Sequence, residues 1–372
     1  MKYAKKIAKN YSQLDDNLLK PAGVSLYERT KNAAALLIGQ CSHFFASGKN
    51  CQNASKTAQL LNANVNKITG GDGDSLINLY GLALKAFCAY KKTSNDSSYD
   101  QTISFLKSYL ISGAAQQFEQ SSLSEDKAPF YSFACLNGLG EYLLLTKDES
   151  CFKPFECLLS LINKVDVYNI KDDTFDYLQC ANGLALYASF TAKTAVNDVI
   201  AGLFDNYSVL AQSINYCAAA SFNDKSKTSP HATAGALELC LALLKLTSDD
   251  RYRVLARRIW FNGMQFCQRF SGSVGTDSFT TMQNDILQVL EYEKNCFATP
   301  LYATGLKCYA QNKNLFEESG NVYKDRNGRY LMGDKMFAKD LSGFFGKDLI
   351  EIPTLTAFDK QTATQLKFKL LF

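Results

Sequence analysis

Histidine and tryptophan are nearly missing from these 372 residues, with two and one respectively, and each scarcity excludes a class of chemistry. His43 and His231 alone cannot assemble a histidine-rich metal site or the histidine-pair acid/base chemistry of an epimerase. One tryptophan, Trp260, leaves few large stacking platforms for a sugar, although 20 tyrosines are available to substitute. Twelve cysteines are present, yet none are spaced as CxxC, so a zinc ribbon or thioredoxin-type motif is absent. No apolar run reaches the roughly 18 residues that a membrane span requires. Polar residues Asn10, Ser12, Gln13, Asp15 and Asp16 follow the first lysines at once, so no signal-peptide core is expected there. A concentrated charge is lacking too: 40 basic and 36 acidic residues are scattered to a net +4, which offers no field for a polyanion. Even Lys2, Lys5, Lys6 and Lys9 read as the solvated face of a short helix. These absences predict a cytoplasmic protein with neither nucleic acid nor membrane as partner.

What is present has the balance of a globular chain, 47% hydrophobic and 20% charged, with length enough for a large core. Cys88, Cys135, Cys180, Cys240 and Cys308 sit in apolar helical stretches, where free thiols serve as small hydrophobes. One pattern recurs: a helix of small residues and leucines runs into a Thr/Ser/Asp cluster, and an aromatic opens the next helix. Gly81-Leu82-Ala83-Leu84 leads to Thr93, Asp96 and Tyr99; Gly138-Leu139-Gly140 to Thr146, Asp148 and Phe152; Gly235-Ala236-Leu237 to Thr247, Asp249 and Tyr252. Segments at Asn182-Gly183-Leu184 and Thr304-Gly305-Leu306 begin alike. The polar cluster supplies a side-chain oxygen to the orphan amides of the next helix, and the aromatic packs back between the two, so each unit is a helical hairpin.

Glycine and alanine let the first helices approach closely and form an inner ring. The second helices, such as Arg251 to Gln268, carry more charge and belong outside. The spacing is too irregular for arrays with a fixed period of about 33 or 34 residues. A closed toroid tolerates such insertions, whereas an open superhelical array is the alternative arrangement. The fold expected is therefore mainly α, an (α/α)6-type toroid over residues 25–318. An N-terminal helical extension covers 1–24. Beyond 318, the turn signals at Asp325-Arg326-Asn327-Gly328 and the alternation in Gln365-Leu366-Lys367-Phe368 predict a small, open-edged β appendage over 319–372, consistent with a truncated β domain.

In such a ring the loops preceding the inner helices converge on one mouth, where polar residues distant in sequence can meet. The candidates are Asp72 and Asp74, Asp172, Asp173 and Asp176, His231, Asp277, and Glu291 with Glu293 before Cys296. Gly70-Gly71-Asp72-Gly73-Asp74 lacks the lysine of a P-loop and the third glycine of a dinucleotide fingerprint. It reads either as a capped tight turn or as part of a sugar pocket. His231 follows Pro230 at a helix start, as a pocket ligand or a cap-region histidine. His43, on an apolar helix, and Trp260, on an outer one, read as packing. Glu291-Tyr292-Glu293-Lys294-Asn295-Cys296 brings two carboxylates and a thiol within two helical turns, either for acid/base chemistry or as a solvated and a buried face of one helix.

From Gly71-Asp72-Gly73-Asp74, through His231-Ala232, Thr247 to Tyr252 and Arg269 to Phe279, to Tyr292-Glu293 with Cys296, the order of features resembles the helical-barrel glycosidases similar to β-L-arabinofuranosidases. The resemblance covers about residues 70–315. It implies a cysteine thiolate on zinc as nucleophile and a glutamate as general acid/base. Glu293 and Cys296 match the metal-site positions, with Glu291 as an alternative acid. The adjacent cysteine pair of that group is missing, since Phe297 follows Cys296. Two functions follow as expectations. One is hydrolysis of a small oligosaccharide by carboxylates among Asp72, Asp277, Glu291 and Glu293, with Asp72, Asp74, Asp176 and His231 contacting substrate. The other is a non-catalytic scaffold that binds a carbohydrate or a protein.

Overall fold

The computed structural model describes residues 23–48, 53–68, 73–121, 130–162, 170, 173–213, 216–224, 227–264, 267 and 297–317. In chain order the helices are α1 (Leu26–Ser47), α2 (Ala54–Val65), α3 (Gly73–Ser94), α4 (Asp100–Ser121), α5 (Phe130–Phe133), α6 (Leu136–Thr146), α7 (Phe152–Ile162), α8 (Thr174–Thr191), α9 (Thr194–Leu210), α10 (Pro230–Thr247), α11 (Asp250–Arg258), α12 (Ala298–Gln311) and α13 (Lys313–Glu317). The N-terminal extension and the β appendage expected from the sequence lie outside the described residues.

Six of these helices close on themselves. α1 packs on α3, α3 on α6, α6 on α8, α8 on α10, α10 on α12, and α12 returns to α1. The ring is closed, so the open superhelical alternative is excluded. α2, α4, α7, α9, α11 and α13 follow the inner helices in turn and lie outside them, which makes every inner–outer pair a hairpin and all inner helices parallel.

Small residues set the spacing of the ring. A Cβ added at Gly39 of α1 would lie 2.6 Å from the Pro300 carbonyl oxygen of α12, and one at Gly183 of α8 would lie 2.5 Å from the Leu136 backbone of α6. Gly138 of α6 sits directly against the Gly81 carbonyl of α3, with no room for a methyl group. The inner faces are accordingly rich in buried alanine: Ala33, Ala34 and Ala35 on α1, Ala181, Ala185 and Ala188 on α8, and Ala232, Ala234 and Ala236 on α10.

The repeated polar cluster is a repeated corner. At Thr247 the hydroxyl donates to the Leu243 carbonyl (2.7 Å) and accepts from the Asp249 amide (3.2 Å), while Asp249 Oδ1 accepts from the Arg251 amide (2.8 Å). Thr146, Asp148 and Ser150 repeat this arrangement. So do Ser94, Asp96 and Ser98, where the working hydroxyl belongs to Ser94 and not to Thr93 as the sequence pattern suggested. Between hydroxyl and aspartate stands one left-handed residue, Asn95, Lys147 or Ser248 (φ 55°, 63° and 57°). The helix thus ends by a backbone reversal while both sets of orphan groups find partners. The aromatics pack between helices as expected, Tyr99 against Phe87 and Tyr90, Phe152 against Tyr187, and Tyr252 against Phe204.

One outer helix departs from its expected course. α11 stops at Arg258 and continues as a π turn over Ile259–Met264. Arg257 and Arg258 are buried instead of facing outward, because each guanidinium anchors a neighbouring segment: Arg257 Nη1 donates to the Leu315 carbonyl (2.6 Å) and Arg258 Nη1 to the Tyr216 hydroxyl (2.7 Å). Trp260 stacks on Tyr309 (centroids 4.5 Å apart), and His43 is buried beside Ser47, so both serve packing.

Glycine contacts give a paired test. Gly138→Ala should lower stability by about 1–3 kcal/mol, because backbone and not a movable side chain occupies the site. Gly202→Ala, on α9 with nothing within 4 Å, should raise it by up to about 1 kcal/mol through helix propensity. Urea unfolding of both variants would expose equal effects at the two positions, which would contradict a glycine-spaced ring.

Candidate functional site

The two ends of the ring differ. Inner helices hand over to outer ones through short corners, such as 192–193 and 248–249, whereas the returns run through longer connections, such as 211–229. The longer ones all lie at the amino ends of the inner helices, where the positive ends of the helix dipoles gather. That end is the mouth.

Connection 211–229 shows how the mouth is framed. The Thr174 amide donates to the Ala220 carbonyl (3.2 Å), and Asp173 pairs with Ser221, so the connection holds the start of α8. The Ala218 amide donates to Thr233 Oγ1 (2.9 Å) and its carbonyl accepts from the Ser229 amide (2.8 Å), which fixes the start of α10. Asp173 Oδ1 caps α8 through the Phe175 amide (2.7 Å), and Ser229 Oγ caps α10. Burial raises the Asp173 carboxyl above its ordinary range in spite of those amides.

An aromatic rim follows from these caps. His231 lies between Phe175 and Phe297, with centroids 4.7 and 5.2 Å away, and its Nδ1 is 3.3 Å from Ser229 Oγ. Burial, together with the Lys31 ammonium, pushes the imidazole down to about 3, so it is neutral at physiological pH. Lys31 itself stands 4.5 Å over the Phe297 ring. Beside the rim lies a cavity of about 80 Å³. Its walls include Tyr27 and Lys31 of α1, Asn78 and Lys85 of α3, Asn137 of α6, and Phe175, Asp176 and Gln179 of α8, with Phe297 before α12. Gln179 Oε1 accepts from Asn137 Nδ2 (2.8 Å) and Lys85 Nζ (3.4 Å). Among the described residues neither polar atom of the Asn78 amide has a hydrogen-bond partner.

Charged side chains fill the axis beneath this cavity. Lys85 Nζ of α3 is 3.7 Å from Glu238 Oε2 of α10, helices that face each other across the ring. Lys92 of α3 meets Glu141 of α6 (2.6 Å), and Lys307 of α12 approaches Glu141 from the opposite side. Burial alone would raise the Glu141 carboxyl, but Lys307, Lys92 and Lys85 hold it down at about 2. The Lys307 ammonium is in turn held charged by Glu141 and Glu238 against its own desolvation.

Of the residues singled out from sequence, Asp176 lines the cavity and His231 stands in the rim. Asp74 lies in the first turn of α3, with its side chain outside the described part. Asp72, Asp172, Asp277, Glu291, Glu293 and Cys296 all lie outside the described residues. Sequence reasoning passed over Lys31, Asn78, Lys85, Asn137, Gln179, Glu141, Glu238 and Lys307. A signal was there: Asn78, Lys85 and Lys92 recur every seventh residue along an otherwise apolar helix, as do His231, Glu238 and Lys245, which is two turns of helix and so one face.

No family model matches the sequence, and no curated protein matches it either. Among solved structures the chain is similar to a glycoside hydrolase (12% identity, TM-score 0.52, 80% of this chain and 58% of that one). It is also similar to a polysaccharide lyase (11%, TM-score 0.53, 84% and 98%) and to a GH127 β-arabinofuranosidase (10%, TM-score 0.51, 81% and 56%). The chain thus spans little more than half of the two glycosidases. At these identities the likeness establishes the fold, the toroid that the sequence resemblance implied.

The axial charges predict acid sensitivity. Because Glu141 binds its proton less readily folded than unfolded, its contribution is full above pH about 4.5 and is lost as pH falls towards about 2. Glu141→Gln should remove that slope and, by taking the partner of the exposed Lys92 and one of the two carboxylates near Lys307, cost about 1–2 kcal/mol at neutral pH. Denaturant unfolding between pH 7 and pH 2.5 measures both; a variant with the parental acid slope would show that other carboxylates carry it.

Proposed function

We propose that this protein binds and hydrolyses an oligosaccharide in the mouth of the toroid, by carboxylate general acid/base catalysis. The observation that supports this most directly is the cavity itself. Planar amides of Asn78, Asn137 and Gln179 and the Asp176 carboxylate gather below the rings of Tyr27, Phe175 and Phe297. Sugar hydroxyls need bidentate donors and acceptors of this kind, and sugar C–H faces need aromatic platforms beside them. His231, neutral beside Phe175 and Phe297, extends the aromatic rim without adding a charge. The similar structures, a glycoside hydrolase, a polysaccharide lyase and an arabinofuranosidase, all bear carbohydrate-related names.

Catalysis is assigned to Asp277, Glu291 and Glu293, carried by the connection that returns to α12. One protonates the leaving oxygen and another activates water or attacks the sugar, and their separation decides between inversion and retention. Asp72, Asp74, Asp176 and His231 take the part of substrate contacts. Zinc on Glu293 and Cys296 is what the family resemblance implies. Both residues lie outside the described part, and among the described residues no three metal-ligating side chains come together.

Calorimetric titration with oligosaccharides of varied composition, alongside release of reducing ends, tests the reading. Asp176→Asn and Gln179→Ala should each weaken binding about tenfold or more, as loss of charged or buried hydrogen bonds does. Glu291→Gln, Glu293→Gln or Asp277→Asn should abolish release while binding persists. Binding without any release by the parent protein would favour the non-catalytic scaffold, and affinities unmoved by Asp176→Asn and Gln179→Ala would remove the cavity from the function altogether.

A further inference from the structure

Two thiols that the site does not use lie in contact. Cys217, in the connection before α10, and Cys267, just after the π turn, have Sγ atoms 3.6 Å apart, and both are buried (0% and 1% exposed). They stand 50 residues apart in sequence. A disulfide requires about 2.0 Å between sulfurs, a closure of little more than 1.5 Å. We propose that Cys217 and Cys267 form a reversible disulfide that resets the amino end of α10, and with it the rim of the mouth.

The mechanical path is short. The Cys217 carbonyl accepts from both the amide and the hydroxyl of Ser213 (2.8 Å each), so its backbone is held on one side. The next residue, Ala218, holds Ser229 and Thr233 by the two hydrogen bonds given above, and Ser229 Oγ contacts His231. A shift of Cys217 toward Cys267 therefore pulls on the cap of α10. On the other side, the Met264 carbonyl, three residues before Cys267, accepts from Tyr302 of α12 (2.6 Å), which gives the pull a fixed anchor. Cys217 Sγ also donates to the Gly263 carbonyl (3.4 Å), a bond that oxidation would remove.

Hydrogen peroxide is a sufficient oxidant. One thiolate attacks a peroxide oxygen, which leaves a sulfenic acid and, after protonation, one water. The second thiol attacks that sulfur, forming the S–S bond and releasing a second water. Two thiols lose two electrons in all and the peroxide becomes two waters, and a dithiol reductant reverses the change. Because the pair is buried, the rate is set by local opening of the connection.

The effect on the mouth rests on the proposed carbohydrate site, but the test does not use a sugar, so the two can fail separately. The full chain is treated with stoichiometric peroxide, denatured, alkylated with N-ethylmaleimide and mapped by mass spectrometry; native samples are followed by amide hydrogen exchange. Expected are two fewer alkylated cysteines, a peptide cross-linked through Cys217 and Cys267 and cleaved by dithiothreitol, and at least a threefold change in exchange over residues 229–233. Cys217→Ser and the milder Cys267→Ala should each abolish both signals while melting cooperatively. Full alkylation after peroxide, sulfinic acid without cross-link, or a different pairing would overturn the proposal, as would a cross-link that leaves exchange at the start of α10 unchanged.

Discussion

The contact of α1 with α12 is the one on which the remainder of the molecule depends. Every other neighbouring pair of inner helices follows directly in chain order around the ring, so far less chain must be closed to bring the two together. The first and last helices have no such help. Their approach is carried by Gly39 lying against Pro300, where any Cβ would hold the backbones apart. Only with that contact made does the solenoid become a ring, and only a ring has an axis enclosed on all sides.

An enclosed axis must then be filled. The axis of the six parallel helices holds Lys85, Lys307, Glu141 and Glu238 in place of apolar groups, with the exposed Lys92 paired to Glu141. Charges buried here repay their desolvation only when the partners are well placed. The placement is transannular: α3 reaches α10, and α6 reaches α12. A rotation of one inner helix by a single residue would turn its charge into an alanine-lined helix contact, at a cost of several kcal/mol per unpaired ion. The ion pairs therefore act on register more than on net stability, while Lys85 also gives the cavity a polar wall.

The fold was legible because its two determinants are local. Small residues early in each inner helix, and the hydroxyl–aspartate corner at its end, mark a hairpin each time they recur, and the corner at Thr247-Ser248-Asp249 can be read from three letters. Its one misreading, Thr93 for Ser94, came from two adjacent hydroxyls that differ only in which one points back along the helix. The site was legible in a smaller part, since His231 and Asp176 announce themselves as polar residues at helix starts, whereas Lys85 and Gln179 sit inside helices and look like solvated positions, and Asn137 opens a helix without a charge to mark it. What makes them a site is the meeting of three inner helices, a tertiary fact that no window of sequence contains. The seven-residue recurrence of Asn78, Lys85 and Lys92 carries the direction of a face, but whether that face looks inward is decided by ring closure.

The asymmetry of the two ends bears on how much the fold can say about chemistry. Corners at one end are a few residues long, and the three built on a hydroxyl and an aspartate satisfy their own helix ends, so these tolerate little variation. The connections at the other end are long, and 211–229 shows that they hold helix starts by backbone bonds that any sequence can supply. Side chains there are free to differ while the ring stays the same. A hydrolase and a lyase sharing this architecture is the expected consequence: the inner helices fix where a ligand lies, and the connections decide what is done to it. By that reasoning the amides, the carboxylate and the rings on the inner helices bear on recognition. On the proposed reading, the reaction falls to Asp277, Glu291 and Glu293 ahead of α12.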